Sequence, residues 1–463
     1  MTKANIWDIW SRAETGPICP TKKFEIYIVY PKIKELVKTY EVEYDPETIV
    51  PIDDKLIDDV YQAGMELLLE VGILCTTTER IIKFEESEVK NILRALPSEA
   101  ILGEGKDVNV IRSRTLEDKH PPSIGAGPSG GPISEEMALK IYQSYAQEPL
   151  NDNLNGGFIT TINGREVKAG SPLEMYAEMY STSLMREAMR RAGRPGMSIR
   201  GSQAVTVRGA MAPAFPEWGR RKGDCLHAWL LPVLKTDYDS LCRAYYWLAC
   251  GYPIWGGGMP TVGGLSGGPE GTAITCAAEM LAARILYQAS LCIGTAAHSF
   301  YTGTTSRELL WTRHLASAAI NKNTNIPTIV DSPYITYAGP CTEMSLYETA
   351  AATIGATVTG GATLVVGSGR QGVHSDYCAG LNSRFAGEIK NTVAKMRLKR
   401  SDANDMVKNL LAKYENTIKE RNPPVGKKFQ ECYDVATVTP SKEFLELYEK
   451  IKKELEVNGL EFG

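Results

Sequence analysis

What most constrains this chain is a change of texture near residue 100. Beyond it, short apolar or small-residue runs recur at "AILG", "PSIGAG", "GFITTI", "GMSIR", "AWLLPVL", "YPIWGGG", "GTAAHSFYTG", "PTIVDSPYI" and "ATLVVGSG". Stretches of helical spacing separate several of them, over 134–147, 173–191, 237–249, 270–292, 306–320 and 342–357. Strand–helix alternation predicts an α/β fold, a parallel sheet with helices outside it. An open doubly wound sheet and a closed barrel both satisfy that pattern. Small and polar residues repeatedly follow the strand-like runs, as Gly-Ser-Gly, Thr-Gly-Thr, Asp-Ser-Pro and Gly-Gly-Gly. They favour a (β/α)8 TIM barrel, in which the strand ends form one rim that holds the site.

"TTINGREV" interrupts the alternation, because Asn163-Gly164 between β-prone flanks predicts a hairpin turn. The ends of the chain are different in kind. In "DDKLIDDVYQAGMELLLEVGI", Leu56, Val60, Ala63, Leu67 and Val71 follow helical spacing. The expected organisation is an N-terminal helical extension over 1–100, a barrel over 101–385 and C-terminal helices over 386–463 packed on the barrel. "NPPVG" reads as a linker inside that tail.

The 463 residues are 43% hydrophobic and 23% charged, a soluble globular composition with ample core. A net charge of −4 offers no basic field for nucleic acid or an anionic membrane. The most apolar stretch, "CAAEMLAARILYQASLCIG", carries Glu279, Arg284 and Gln288, so no membrane span is expected. "MTKANIWDIWSRAETG" lacks the apolar run of a signal peptide, and the ten cysteines form no C-x-x-C pair. A cytoplasmic protein with reduced thiols is expected. No P-loop or H-E-x-x-H motif occurs, and no catalytic triad can be assembled around the serine of "GLSGG" (264–268). "GSGRQG" (367–372) fits G-x-G-x-x-G, but "VHSDYCAG" after it is a poor helix start, so it reads as an anion-friendly strand-end loop.

Three segments, "AGRPGM" (192–197), "AGPCTEM" (338–344) and "GKKFQECYD" (426–434), resemble the monomethylamine:corrinoid methyltransferases of methanogenic archaea. "GPSGGPISE" (127–135), "GSPLE" (170–174) and "MELLLEVGI" (65–73) support the resemblance, in the same order along nearly the whole chain. It implies a TIM barrel with added helices, assembled as a homo-oligomer, of which a hexamer is one form. It implies methyl transfer from a methylamine to the Co(I) of a separate, cognate corrinoid protein. None of the five histidines lies in a D-x-H-x-x-G context, so no tightly bound cofactor is expected and the corrinoid (cobamide) would arrive on its partner.

The resemblance also locates departures. Where the family carries pyrrolysine, at the end of its "GRPGM" strand, this chain has Arg200. A guanidinium is neither electrophilic nor readily deprotonated, so it cannot replace the imine of pyrrolysine. The glutamates of the family fall on His227 and Cys250, and its glutamine and tyrosine fall on Pro333 and Ile335. So coordinated a change implies a different substrate or a lost activity.

Arg200 and His227 are thus the candidate catalytic residues. Arg200, Cys250, Tyr334, Ile335 and Tyr337 are the candidate substrate-binding set. His298, Arg307, Gly257 and Gly258 are candidates for a rim that faces the corrinoid. Each has a plainer reading. Arg200 could make a structural ion pair; Arg307, with Glu308, could belong to the first turn of a helix. Tyr334 and Tyr337 could be core. His227 and Cys250, with Cys225 or Cys341, could hold zinc or could all be buried structural residues. The expected activity is transfer of a methyl group from a small methylated substrate to a Co(I)-corrinoid protein without pyrrolysine chemistry. That substrate would be methylamine-like, either quaternary or carboxylate-bearing. A non-catalytic scaffold of the same fold, and a zinc-dependent methyltransferase acting on thiols or methoxy groups, remain alternatives.

Overall fold

The computed structural model describes residues 6–462 except 202, 203, 205 and 215–217. Part of the segment after Arg200 and the first five residues of the N-terminal extension therefore lie outside the described residues. At the centre stand eight parallel strands, β1 (Ser123–Ala126), β2 (Asn153–Asn155), β3 (Ser198–Arg200), β4 (Leu226–Trp229), β5 (Ile254–Gly258), β6 (Leu291–Gly294), β7 (Thr328–Asp331) and β8 (Thr363–Val366). Each pairs with its neighbour in sequence, and β8 pairs back onto β1. One parallel bridge, Arg200 to Cys225, closes the ring between β3 and β4. The result is a TIM barrel.

Seven helices cover it: α1 (Ala138–Ala146), α2 (Pro172–Arg191), α3 (Tyr238–Cys250), α4 (Pro269–Leu286), α5 (Arg307–Asn323), α6 (Glu343–Val358) and α7 (Gly380–Met396). Ser171, Asp237 and Thr342 start α2, α3 and α6 by accepting a backbone N–H of the first turn. After β3 the helix shrinks to Val207–Met211, which leaves β3 and β4 free to part beyond their single bridge. Alternation along the strands divides the apolar residues. Cys225, Leu291, Ile293, Ile329 and Val365 fill the inside, whereas Leu226, Ala228 and Cys292 join the core beneath the helices.

Most strand-like runs of the sequence became barrel strands, with three exceptions. "AILG" is not one of the eight. Glu99–Leu102 pairs antiparallel with Asn109–Arg112, and Ala100, Leu102 and Ile111 pack into the interior cluster from below. The tip of this hairpin bonds to Gly196 and Gly223, just ahead of β3 and β4, so it stoppers the N-terminal end of the barrel. "GFITTI" forms short pieces outside the barrel, including the expected hairpin Thr161–Ile162 with Arg165–Glu166, where Asn163 and Gly164 both have positive φ. The helix expected over 270–292 ends at Leu286, and its last residues are β6. That strand is the one read too late, in "GTAAHSFYTG".

The extensions pack on the outside. The N-terminal helix Asp54–Val71 lies against α4 and α5, and Gly64 admits Ala277 at close range. Arg400–Leu411 and Lys442–Val457 lie on α6. No helix among the described residues is long and apolar enough to cross a membrane.

Candidate active site

A cavity opens at the C-terminal ends of the barrel strands, where (β/α)8 enzymes place their chemistry. Arg200 and Asn155 meet there with Trp229, Trp255, Thr295, Asp331 and Tyr334, and Ile293, Ile329 and Val365 contribute apolar surface. Its free space is only ≈ 20 Å³, room for a water-sized group.

Arg200 is 2% exposed and lies across the barrel. Its Nε donates to Asn155 Oδ1 (3.2 Å), Nη1 to Thr363 Oγ1 (3.0 Å) and Nη2 to the Gly125 carbonyl (3.3 Å). The fit depends on Gly125, because a Cβ there would stand 2.5 Å from Arg200 Cζ. Every one of these partners is neutral, and no carboxylate of the described residues lies within ion-pair distance of Arg200. The structural ion pair considered from sequence is therefore not formed. Burial lowers the guanidinium to about 10, which still leaves it charged at neutral pH.

Asp331 ends β7 and is 1% exposed. Its Oδ2 accepts from Thr295 Oγ1 (2.5 Å) and from Arg313 Nη1 of α5 (2.6 Å). Its Oδ1 is buried and has no hydrogen-bond partner among the described residues. Asp331 thus has its ion pair with Arg313, and Arg200 has no direct ion pair among the described residues. The Trp229 and Trp255 rings meet edge to face at 5.1 Å beside these groups.

His227 lies behind that aromatic wall, its ring 5.4 Å from Trp255. Arg243 Nη1 of α3 donates to its Nε2 (3.0 Å), which makes Nε2 the acceptor. Burial, then the charges of Arg243 and Arg220, hold its pKa well below the ordinary imidazole value. It is a neutral, structurally engaged base and does not line the cavity.

The remaining candidates are dispersed. Tyr334 lines the cavity, but Ile335 does not; the Ile335 backbone pairs with Ser368 and Thr304. Tyr337 is packed on Gly303 in the outer core. Cys250 is the last residue of α3, at the end leading into β5 and so at the opposite face of the barrel from the strand ends. It cannot share a small zinc site with His227, and no three metal-binding side chains gather among the described residues. Cys225 lies inside the barrel, where burial pushes its thiol up to about 12.

The rim set also separates. Gly257 and Gly258 are strand residues: Gly257 packs under Ile293, and Gly258 leaves space for the Glu279 carboxyl. Arg307 turns outward to a bidentate pair with Glu415 of the C-terminal extension (2.9 Å for each bond). His298 alone remains at the mouth, with Nε2 2.7 Å from Glu308 and with Tyr301 beside its ring. Sequence reasoning missed Asn155, Thr295, Asp331, Trp229 and Trp255 as site residues. Only Asp331 carried a signal, as the first residue of the strand-end Asp-Ser-Pro.

The family profile for Monomethylamine methyltransferase MtmB matches residues 4–460. Monomethylamine methyltransferase MtmB of Methanosarcina mazei is 33% identical over 456 residues, covering 98% of each chain. MtmB1 of Methanosarcina acetivorans matches to the same extent. The crystal structure of the Methanosarcina barkeri monomethylamine methyltransferase superposes with a TM-score of 0.94 at 32% identity, covering all of both chains. The crystal structure of the hydroxylamine complex of MtmB gives the same values.

Proposed function

The chain belongs to the monomethylamine methyltransferase MtmB family, and from that premise we propose that it transfers a methyl group from a small, carboxylate-bearing methylated amine to the Co(I) of a corrinoid protein. The observation that carries this reading is Arg200, a buried guanidinium at the strand ends with no carboxylate of the described residues within ion-pair distance. Burying an unpaired cation is costly, and a bound carboxylate supplies the missing charge. On this reading Arg200 replaces the pyrrolysine of the family, and covalent capture of an amine gives way to ionic capture of an acid.

The residues then divide the work. Arg200 orients the carboxylate, and its planar fork limits how the donor can lie. Trp229, Trp255 and Ile293 exclude water from the methylated nitrogen. Asn155 and Gly125 hold the guanidinium in place. The Co(I) nucleophile takes the methyl carbon, and the C–N bonding pair stays on nitrogen; such a leaving group departs well only when it starts as an ammonium. The cavity is far too small for a corrinoid macrocycle, in keeping with an acceptor that a partner protein brings to the rim. Orientation and electrostatics are what the barrel contributes.

The test combines the purified protein, a Co(I)-corrinoid protein and a panel of methylated amines with and without a carboxylate, followed by methyl-cobalt absorbance. Carboxylate-bearing donors should turn over, and Arg200→Ala should abolish them selectively. Equal loss across all donors would assign Arg200 a purely structural role, and no turnover with several corrinoid partners would refute the enzyme reading.

A further inference from the structure

The cavity lining contains a second group with an unmet polar atom, the Asp331 carboxylate, although its charge is paired with Arg313. Asp331 is 1% exposed, and its Oδ2 is fully occupied by Thr295 and Arg313. Oδ1 is buried and has no partner among the described residues, and Asp331 is one of the residues that line the cavity. A buried carboxylate oxygen left without a donor is costly, and fixed neighbours prevent this one from turning away. What satisfies it must come from the cavity and must donate a hydrogen bond. The adjacent Trp229 and Trp255 rings favour a donor that is also a cation. Arg200 lies on the same cavity wall, near enough to feel the charge of Asp331.

Resting on the reading of Arg200 above, we propose that Asp331 is a specificity-determining residue that binds the N–H of a protonated secondary or tertiary amine, so that the donor is a small zwitterion of the N-methyl amino acid type held at both ends. Asp331 keeps the nitrogen protonated and directs its methyl group away from the two charged anchors. When the methyl leaves, the C–N pair remains on nitrogen and the N–H stays where it was, so the product is a neutral amine and Asp331 neither gains nor loses a proton. The free space of ≈ 20 Å³ is smaller than even the smallest members of the class, so binding requires the residues lining the cavity to move apart.

The test is a binding comparison by titration calorimetry with three probes. They are N-methylglycine, butanoate (the same chain with CH2 in place of NH2+) and methylammonium, which lacks the carboxylate. N-Methylglycine should bind at least about tenfold more tightly than butanoate, and Asp331→Asn should erase that gap. Equal binding of N-methylglycine and butanoate, both dependent on Arg200, overturns the role of Asp331 and leaves the carboxylate reading intact. Methylammonium binding as tightly as N-methylglycine overturns the carboxylate reading instead. Absence of binding by all three overturns both. Should Asp331→Asn fail to fold with Arg313 unpaired, the comparison of probes on the unaltered protein decides the matter alone.

Discussion

Glu279 is a buried carboxyl whose removal should stabilise the protein, by an amount that depends on pH. It lies on α4, directed into the space left by Gly258, where any Cβ would overlap its oxygens. Oε1 accepts the Leu234 N–H at 3.1 Å, and Oε2 has no partner among the described residues. Burial raises this carboxyl from an ordinary 4.5 to about 8. Between those two values the folded chain retains a proton that the unfolded chain has released, so stability falls as pH rises through the window. Each pH unit costs about 1.4 kcal/mol. From pH 6.5 to 8.0 Glu279 alone should cost about 2 kcal/mol. Glu348, raised to about 7 by burial, acts in the same direction over the first part of that range. His227 and His314 are neutral when folded, and when unfolded they are half protonated at pH 6.5 and neutral only well above it, so they offset a small part of this loss near pH 6.5. Below it, each is neutral when folded and charged when unfolded, so their slope opposes that of the two glutamates. Urea unfolding followed by tryptophan fluorescence at pH 6.5 and 8.0 provides the measurement. Glu279→Gln retains the bond to Leu234, and its stability relative to the parent should improve by about 2 kcal/mol between the two pH values. A difference that does not change with pH would refute the reasoning.

Two further substitutions separate the cavity from its supports. Gly125→Ala places a methyl group where the Arg200 guanidinium lies. It should cost about 2 kcal/mol in urea unfolding and weaken carboxylate probes by more than about tenfold in calorimetry. Arg307→Ala removes the Glu415 pair and the bond to the Pro46 carbonyl. It should cost about 1–3 kcal/mol of stability while leaving the donor preference unchanged in the methyl-cobalt assay.

The barrel was legible because its strands are buried on both faces and leave apolar runs between amphipathic helices. It was illegible where strands use polar residues inward. β2 is Asn-Leu-Asn, and its two asparagines serve Ser198 and Arg200 of the neighbouring strand β3, a pattern no hydrophobic count detects. β6 was lost for the opposite reason. The apolar run of α4 continues through Tyr287 and Ala289 into the strand, and only the positive φ of Gln288 marks the break. Arg200 was found through the resemblance, whereas Asp331 needed the fold. Its significance lies in an oxygen that α5 and β6 leave uncovered. Cys250 failed because correspondence along a segment of altered length does not preserve depth in the barrel.

The antiparallel hairpin under the barrel, Glu99–Leu102 with Asn109–Arg112, has a kinetic consequence. A tube stopped at one end has a single doorway. On the proposed reading, donor and acceptor must then share it, the donor entering first and the acceptor protein closing over it as a lid. The demethylated product has no rear exit and must wait for that lid to lift. Turnover would follow a compulsory order, and excess acceptor protein would slow the reaction by capping the empty well.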